Sequence, residues 1–218
     1  GDAADDIYAD AALTTLPDGN RVLVIDTCYA GAIDAGAQAF APIRKFGTPI
    51  VDAIAPTPYV KLQQTADQVL ARGRRYYVKG SFLREIDTAS SDSLVEGFAG
   101  LPPGVTVNSA DAGGAISRVA PTATAFWNRG ARWNLVCSAV WDNPADSEAG
   151  IAAGRRAYDI AEPYAKGFYV NDANLAERTQ AQVDSNYGGN LARLEKVKAQ
   201  YDPANLFHLN ANVMPARA

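Results

Sequence analysis

Histidine, cysteine and clustered positive charge are all scarce in this chain of 218 residues, and each scarcity excludes a class of site. The single histidine, His208, cannot build a multi-histidine metal site, and no candidate nucleophile stands beside it in sequence, so we expect a surface or capping residue. Two cysteines, Cys28 and Cys137, are too few for a disulfide framework or a zinc site. Because both lie in apolar runs, we expect buried thiols that are not joined by a disulfide.

Charge and hydropathy narrow the range of partners. The chain has 20 Lys and Arg against 24 Asp and Glu, a net charge of −4, and therefore no basic field for nucleic acid or an anionic membrane surface. No apolar run approaches the ~20 residues that a membrane-spanning helix needs. We expect a soluble chain with neither nucleic acid nor membrane as a partner, and the lack of any signal for an oxidising compartment slightly favours the cytoplasm.

Apolar and β-branched runs bounded by Gly, Pro or Asp predict five strands, at residues 21–28, 75–79, 105–109, 115–119 and 132–141. Gly113 and Gly114 lie between two of them, which predicts a turn that joins antiparallel neighbours. Helical spacing of apolar residues predicts five helices, near residues 33–45, 57–70, 91–101, 145–164 and 190–201. The mixture predicts an α+β fold, with an antiparallel β-sheet covered on one face by helices and a C-terminal helical tail.

Glycine-rich segments do not form a phosphate or dinucleotide site. Residues 31–36 (GAIDAG) have the spacing of a phosphate-binding loop, but Ala37 and Gln38 stand where Lys and Ser or Thr are required. No glycine fingerprint of a dinucleotide-binding fold follows a predicted strand. The chain therefore contains no glycine-rich cradle for a pyrophosphate.

The C-terminal residues carry a more specific pattern. It comprises Tyr-Gly-Gly-Asn at 187–190, a helix with Arg-Leu at 193–194 and Lys198, Tyr-Asp-Pro-Ala-Asn-Leu-Phe at 201–207, and Asn-Ala-Asn before a proline at 210–215. This order and spacing resemble the closing segment of berberine-bridge-enzyme-like FAD-linked oxidases, of the vanillyl-alcohol-oxidase-type flavoprotein superfamily. The similarity extends upstream to about residue 16, in blocks at 41–47, 58–67, 76–82, 113–119, 125–129 and 167–171.

The resemblance implies a division of the chain. Residues 16–180 would form a substrate-binding α+β domain whose open sheet face lies over the flavin, and residues 181–218 a C-terminal segment that packs on an FAD-binding domain. We expect this FAD-binding domain to lie outside the 218 residues of this sequence. We therefore expect one half of a longer oxidase, with residues 1–15 as a remnant or linker and no FAD bound to this chain alone. The missing domain, or self-association, would cover the flavin-side face.

The resemblance also names four site residues and no metal ligand. Asn171, Tyr187 and Asn212 would reach the FAD. Asp172 stands where Phe or Tyr is usual in the family, and in relatives with Tyr the phenol is a candidate for deprotonating the substrate. Asp172 is thus one catalytic candidate, with a solvated loop carboxylate as the alternative. Tyr187 is the other, with a packing tyrosine whose hydroxyl bonds the backbone as the alternative.

A further departure concerns Asn128. Many bacterial relatives have His at this position, directly before the arginine of the Phe-x-x-Arg block at 126–129. The implied activity is oxidation of a small organic substrate by hydride transfer to flavin, with the protein placing the reacting carbon and removing a proton. The alternative is a noncatalytic binding or assembly module derived from such an oxidase.

Overall fold

A computed structural model describes residues 6–67, 70–209 and 211–217. Its strands are β1 Ile7–Thr15, β2 Arg21–Tyr29, β3 Arg75–Leu83, β4 Val105–Asp111 and β5 Trp133–Trp141. Its α-helices are α1 Ile33–Ala39, α2 Ala41–Arg44, α3 Tyr59–Gln63, α4 Thr88–Ala99, α5 Ala115–Arg118, α6 Ser147–Ala161, α7 Gln180–Tyr187 and α8 Leu191–Tyr201. Short 3₁₀ turns occur at Pro144–Asp146, Glu162–Tyr164, Leu175–Glu177 and Gly188–Asn190. Val69 of the second predicted helix and Asn210 of the C-terminal pattern lie outside the described residues.

The strands form one antiparallel sheet in the order β2-β1-β4-β5-β3. A tight connection containing Pro17, Asp18 and Gly19 joins β1 to β2, and Gly19 adopts a φ of +88°, which glycine enters without a steric penalty. Strand β3 forms one edge of the sheet, beside β5. The predicted α+β fold with an antiparallel sheet and C-terminal helices is confirmed.

Helices α4 and α6 cover one face of the sheet and enclose the main core. Side chains alternate between the two faces of a strand, and the odd-numbered residues of β3, β4 and β5 point towards these helices. Leu83, Leu135 and Cys137 are fully buried there, packed in one cluster with Ala157 and Tyr158 of α6. We call the opposite face, which carries the even-numbered strand residues, the far face.

Local hydrogen bonds determine where two helices begin. At α4 the Ser90 N–H donates to the Asp87 carboxylate at 2.8 Å, and the Asp87 N–H donates to the Ser90 hydroxyl at 2.9 Å. Thr179 and Gln182 form the same reciprocal arrangement at the start of α7. These bonds satisfy N–H groups that the first helical turn leaves without partners, so α4 begins three residues before the predicted start at residue 91.

Three expectations from the sequence need correction. Residues 7–15, assigned to a remnant or linker, form the inner strand β1, whose composition (IYADAALTT) hid its strand character behind Ala and Asp. Residues 115–119, predicted as a strand, contain helix α5 because Gly114, at a φ of +59°, turns the chain after β4. Helix α7 was missed because its sequence (QAQVDSNY) has no apolar stripe.

Among the helices in the described part of the chain, none is both long enough and apolar enough to cross a bilayer.

Candidate functional site

The segment 167–172 lies along the outer edge of β3 and carries two of the predicted site residues. The Phe82 N–H donates to the Gly167 carbonyl at 2.8 Å, and the Gly80 N–H donates to the Asp172 carbonyl at 2.6 Å. These bonds satisfy main-chain groups of an edge strand that would otherwise need water or another chain. They fix the end of the segment, including Asp172, against the sheet.

Asp172 lies over Gly80 and reaches the far face of the sheet. A Cβ atom on Gly80 would stand 3.0 Å from the Cβ of Asp172 and 3.3 Å from the Leu135 carbonyl oxygen, so this close approach depends on glycine. The Asn134 amide donates to the Asp172 carboxylate at 3.2 Å. The other polar atom of that side chain, Asn134 Oδ1, is buried and has no hydrogen-bond partner among the described residues. The carboxylate is therefore held by a defined partner.

An open cleft of about 750 Å³ runs along the same edge of β3. Asn171, Asp172 and Asn174 line it from the loop side, and aromatic side chains that include Tyr76 and Trp141 line it from the sheet. The cleft combines aromatic and aliphatic side chains with polar ones, among them Arg75 and Ser147, and a cleft of this kind can bind a small organic molecule. Asp172 thus combines a fixed position with access to a cleft.

Asn171 has a different environment from its neighbour. Its amide donates to the Tyr169 hydroxyl at 2.6 Å, and the residue is exposed. It lines the cleft, but its amide group is engaged by its own segment.

Tyr187 lies in a separate apolar cluster that also contains Phe168, Val183 and Ala211. Its hydroxyl donates to the Ala211 carbonyl at 2.7 Å. Burial, together with the charge of Asp184, raises the pKa of Tyr187 above its ordinary value, so the phenol stays protonated at neutral pH. The hydroxyl thus has a backbone partner, as the packing alternative expects, and a catalytic role for Tyr187 stays a prediction.

Asn212 lies in the C-terminal tail, which packs on α7 and α8 of the same chain. The Gln180 amide donates to the Asn212 carbonyl at 2.9 Å, and the Ala216 N–H donates to the Glu195 carbonyl at 3.0 Å. The Asn212 Oδ1 atom is buried and has no partner among the described residues.

Glu177 was not identified from the sequence, yet its carboxylate has three donors. Tyr77 Oη lies 2.8 Å from Oε2, Lys79 Nζ lies 3.0 Å from Oε2, and Arg155 Nε lies 2.9 Å from Oε1. Burial alone would raise the pKa of Glu177, but the hydrogen bonds from Tyr77, Lys79 and Arg155 outweigh it and lower the pKa below its ordinary value. Glu177 is therefore a charged junction between residues 175–177, β3 and α6.

Asn128, which departs from the family pattern, is part of the packing near Phe168. Its amide donates to Asn186 Oδ1 at 2.9 Å, and the same oxygen accepts from the Phe168 N–H at 2.9 Å. Within the described residues, no three His, Cys, Asp or Glu side chains are placed to hold a metal ion.

Comparison with known proteins gives a consistent result. Residues 168–214 match the family model described as berberine and berberine like. An FAD-linked oxidoreductase of Dictyostelium discoideum is 26% identical over 207 residues, which cover 94% of this chain and 44% of the relative. The uncharacterized FAD-linked oxidoreductase YvdP of Bacillus subtilis is 36% identical over 107 residues, 48% of this chain and 23% of the relative.

The fold has solved counterparts. The crystal structure of 6-hydroxy-D-nicotine oxidase from Arthrobacter nicotinovorans superposes with a TM-score of 0.80 at 18% identity, covering 98% of this chain and 49% of that one. At this identity the superposition shows a shared fold alone. The chain spans about half the length, or less, of the relatives it matches. The family match at residues 168–214, the curated relatives and the shared fold make the chain similar to berberine-bridge-enzyme-like FAD-linked oxidoreductases.

Proposed function

We propose that this chain is the substrate-binding half of an FAD-dependent oxidase, and that Asp172 accepts a proton from a small organic substrate bound in the cleft along β3. The observation that carries the proposal is the placement of Asp172. Its main chain is bonded to the edge strand at Gly80, its carboxylate is oriented by Asn134, and its side chain lines a cleft of suitable volume. A solvated loop carboxylate would have none of these constraints.

The proposed chemistry assigns two tasks to the chain. A bound FAD supplies the acceptor for the hydride that leaves the substrate carbon. The cleft places that carbon, and Asp172 takes the proton from the hydroxyl or amino group next to it, so that the new C=O or C=N bond can form. Asn134 keeps the carboxylate oriented towards the far face. Asn171, Tyr187 and Asn212 stay proposed contacts on the cofactor side.

The test is an Asp172→Asn substitution in the complete protein, with a panel of small alcohols and amines as substrates and hydrogen peroxide formation as the readout. A general base contributes roughly 10²–10⁴-fold to turnover, so we expect kcat to fall by about 100-fold or more. The matched control is Asp92→Asn on the exposed side of α4, which should leave kcat within about twofold because it removes a carboxylate away from the cleft.

Two outcomes would contradict the proposal. If Asp172→Asn left turnover and its pH dependence unchanged, Asp172 would not be the base. A complete protein that binds no flavin and oxidises nothing in the panel would instead favour the noncatalytic binding or assembly module.

A further inference from the structure

Both outward-facing main-chain groups of Gly80 are bonded by the same short segment. Its N–H donates to the Asp172 carbonyl at 2.6 Å, and its carbonyl accepts from Arg178 Nη2 at 3.1 Å. Arg178 also donates through Nε to the Ala173 carbonyl at 3.3 Å, and its guanidinium lies 4.3 Å from the centre of the Phe168 ring. The arginine therefore connects the edge strand to the chain on the C-terminal side of Asp172.

Glu177, the neighbouring residue, fastens the same segment from the helix-covered side of the sheet. Tyr77 and Lys79, two of its donors, belong to β3, and Lys79 Nζ also lies 4.3 Å from the centre of the Tyr158 ring. The side chains of Lys79 and Glu177 are 14% and 19% exposed. A paired charge that is this well shielded from water is strongly localised, because separating the pair would leave a charge in a poorly solvated environment.

Arg178 Nη2 also donates to the Tyr158 hydroxyl of α6 at 3.3 Å, so both attachments reach the helix-covered side of β3. Resting on the proposed function, we propose that Glu177 and Arg178 are positioning residues that hold Asp172 at the edge of β3, so that its carboxylate stays over the far face. Neither residue needs to touch the substrate. They act through Asp172, because the segment between residues 172 and 178 is short and is bonded at both ends to β3.

The first test measures the position of Asp172 without any activity. The probe is amide hydrogen exchange in the complete protein, resolved to Gly80 and Phe82. Gly80 donates to Asp172, and Phe82 donates to Gly167 on the same edge, so Phe82 serves as an internal reference. In Glu177→Gln, an amide must face donors on β3 and α6, and at least one of them loses its acceptor.

We expect the Gly80 amide to exchange at least about tenfold faster in Glu177→Gln and in Arg178→Gln, while Phe82 changes by less than about threefold. The control Asp52→Asn breaks the ion pair of Asp52 with Arg44, which is 2.8 Å long and remote from β3, and should alter neither amide. Gly80 protection that is unchanged in both variants would overturn the proposal, as would equal loss at Gly80 and Phe82, which would indicate general loosening of the edge.

The second test separates positioning from stability by its dependence on Asp172. Glu177→Gln should lower kcat at least about tenfold when Asp172 is present and by no more than about twofold in an Asp172→Asn background. An equal loss in both backgrounds would refute positioning through Asp172. If Asp172→Asn alone leaves turnover unchanged, the proposed function fails, and the Gly80 exchange still decides whether the two residues hold the segment.

Discussion

The packing of α6 on β3 depends on the missing side chain of Gly154, and a single methyl group there tests it. A Cβ atom at Gly154 would lie 2.3 Å from Cδ1 of Tyr77. Because carbon atoms pack at about 3.5–4.0 Å, the ring or the helix would have to move by about 1 Å or more. Tyr77 is only 4% exposed and its hydroxyl is bonded to Glu177, so the ring cannot swing aside freely.

The expected magnitude for Gly154→Ala follows from two opposing effects. Overpacking a core costs about 1–3 kcal/mol, whereas alanine is favoured over glycine inside a helix by about 1 kcal/mol. Since the clash is with a held aromatic ring, we expect the free energy of unfolding to fall by about 1–2 kcal/mol. The change is measured by urea denaturation of the complete protein, using the unfolding transition of this domain.

Gly36→Ala in α1 is the matched control, because a Cβ at Gly36 would stand 3.4 Å from the nearest atom of Tyr29, an ordinary contact. This variant should be unchanged or more stable by up to about 1 kcal/mol. If Gly154→Ala were as stable as Gly36→Ala, the close approach of α6 and β3 described above would be wrong.

Three further expectations concern pH, thiols and flavin. Asp26 faces Asp10 across β1 and β2. Burial, and then the charge of Asp10, raise the pKa of Asp26 in the folded protein. Because the unfolded chain ionises first, stability is lost as the pH rises through the folded pKa. Asp26→Asn should therefore melt higher than the parent at about pH 7 and like it at about pH 3, and the reverse order would contradict this sign. Burial, and to a smaller extent Asp159, raises the pKa of Cys137 to about 12. A thiol reagent should therefore label Cys28 in the folded protein, and both cysteines once the protein is unfolded without reductant. No labelling after unfolding would indicate a disulfide. The isolated chain should leave gel filtration colourless, because a few contacts from the substrate side must offset an association cost of at least about 4 kcal/mol, and a retained flavin spectrum would show a more complete site.

Strand and helix positions could be predicted well where the local sequence alone determines them. The run of apolar and β-branched residues at 132–141 predicts β5, in which Leu135 and Cys137 are buried. Strand β1 could not be found in this way, since its Ala and Asp residues have low β-propensity and its stability comes from pairing on both sides. The hairpin connection at residues 16–20 was the available signal, because Pro-Asp-Gly is a typical turn sequence.

The candidate site was predictable in part. The family pattern located Asp172 by its place after residues 169–171, but no local pattern indicates which strand that segment would meet. Glu177 gave no signal at all, because its three donors come from two distant elements, β3 and α6. Contacts of this kind depend on the order of strands in the sheet, which is a long-range property.

Asn134 shows how much further the sequence could have been used. It is an even-numbered residue in a strand whose odd-numbered neighbours are buried, so alternation places it on the face opposite the helices. A side-chain amide on that face fits either a solvated face or a polar partner above the sheet, and the structure supplies the partner. The partner, Asp172, can reach it because β3 is an edge strand and Gly80 has no side chain, and both conditions must hold for the carboxylate to lie over the far face.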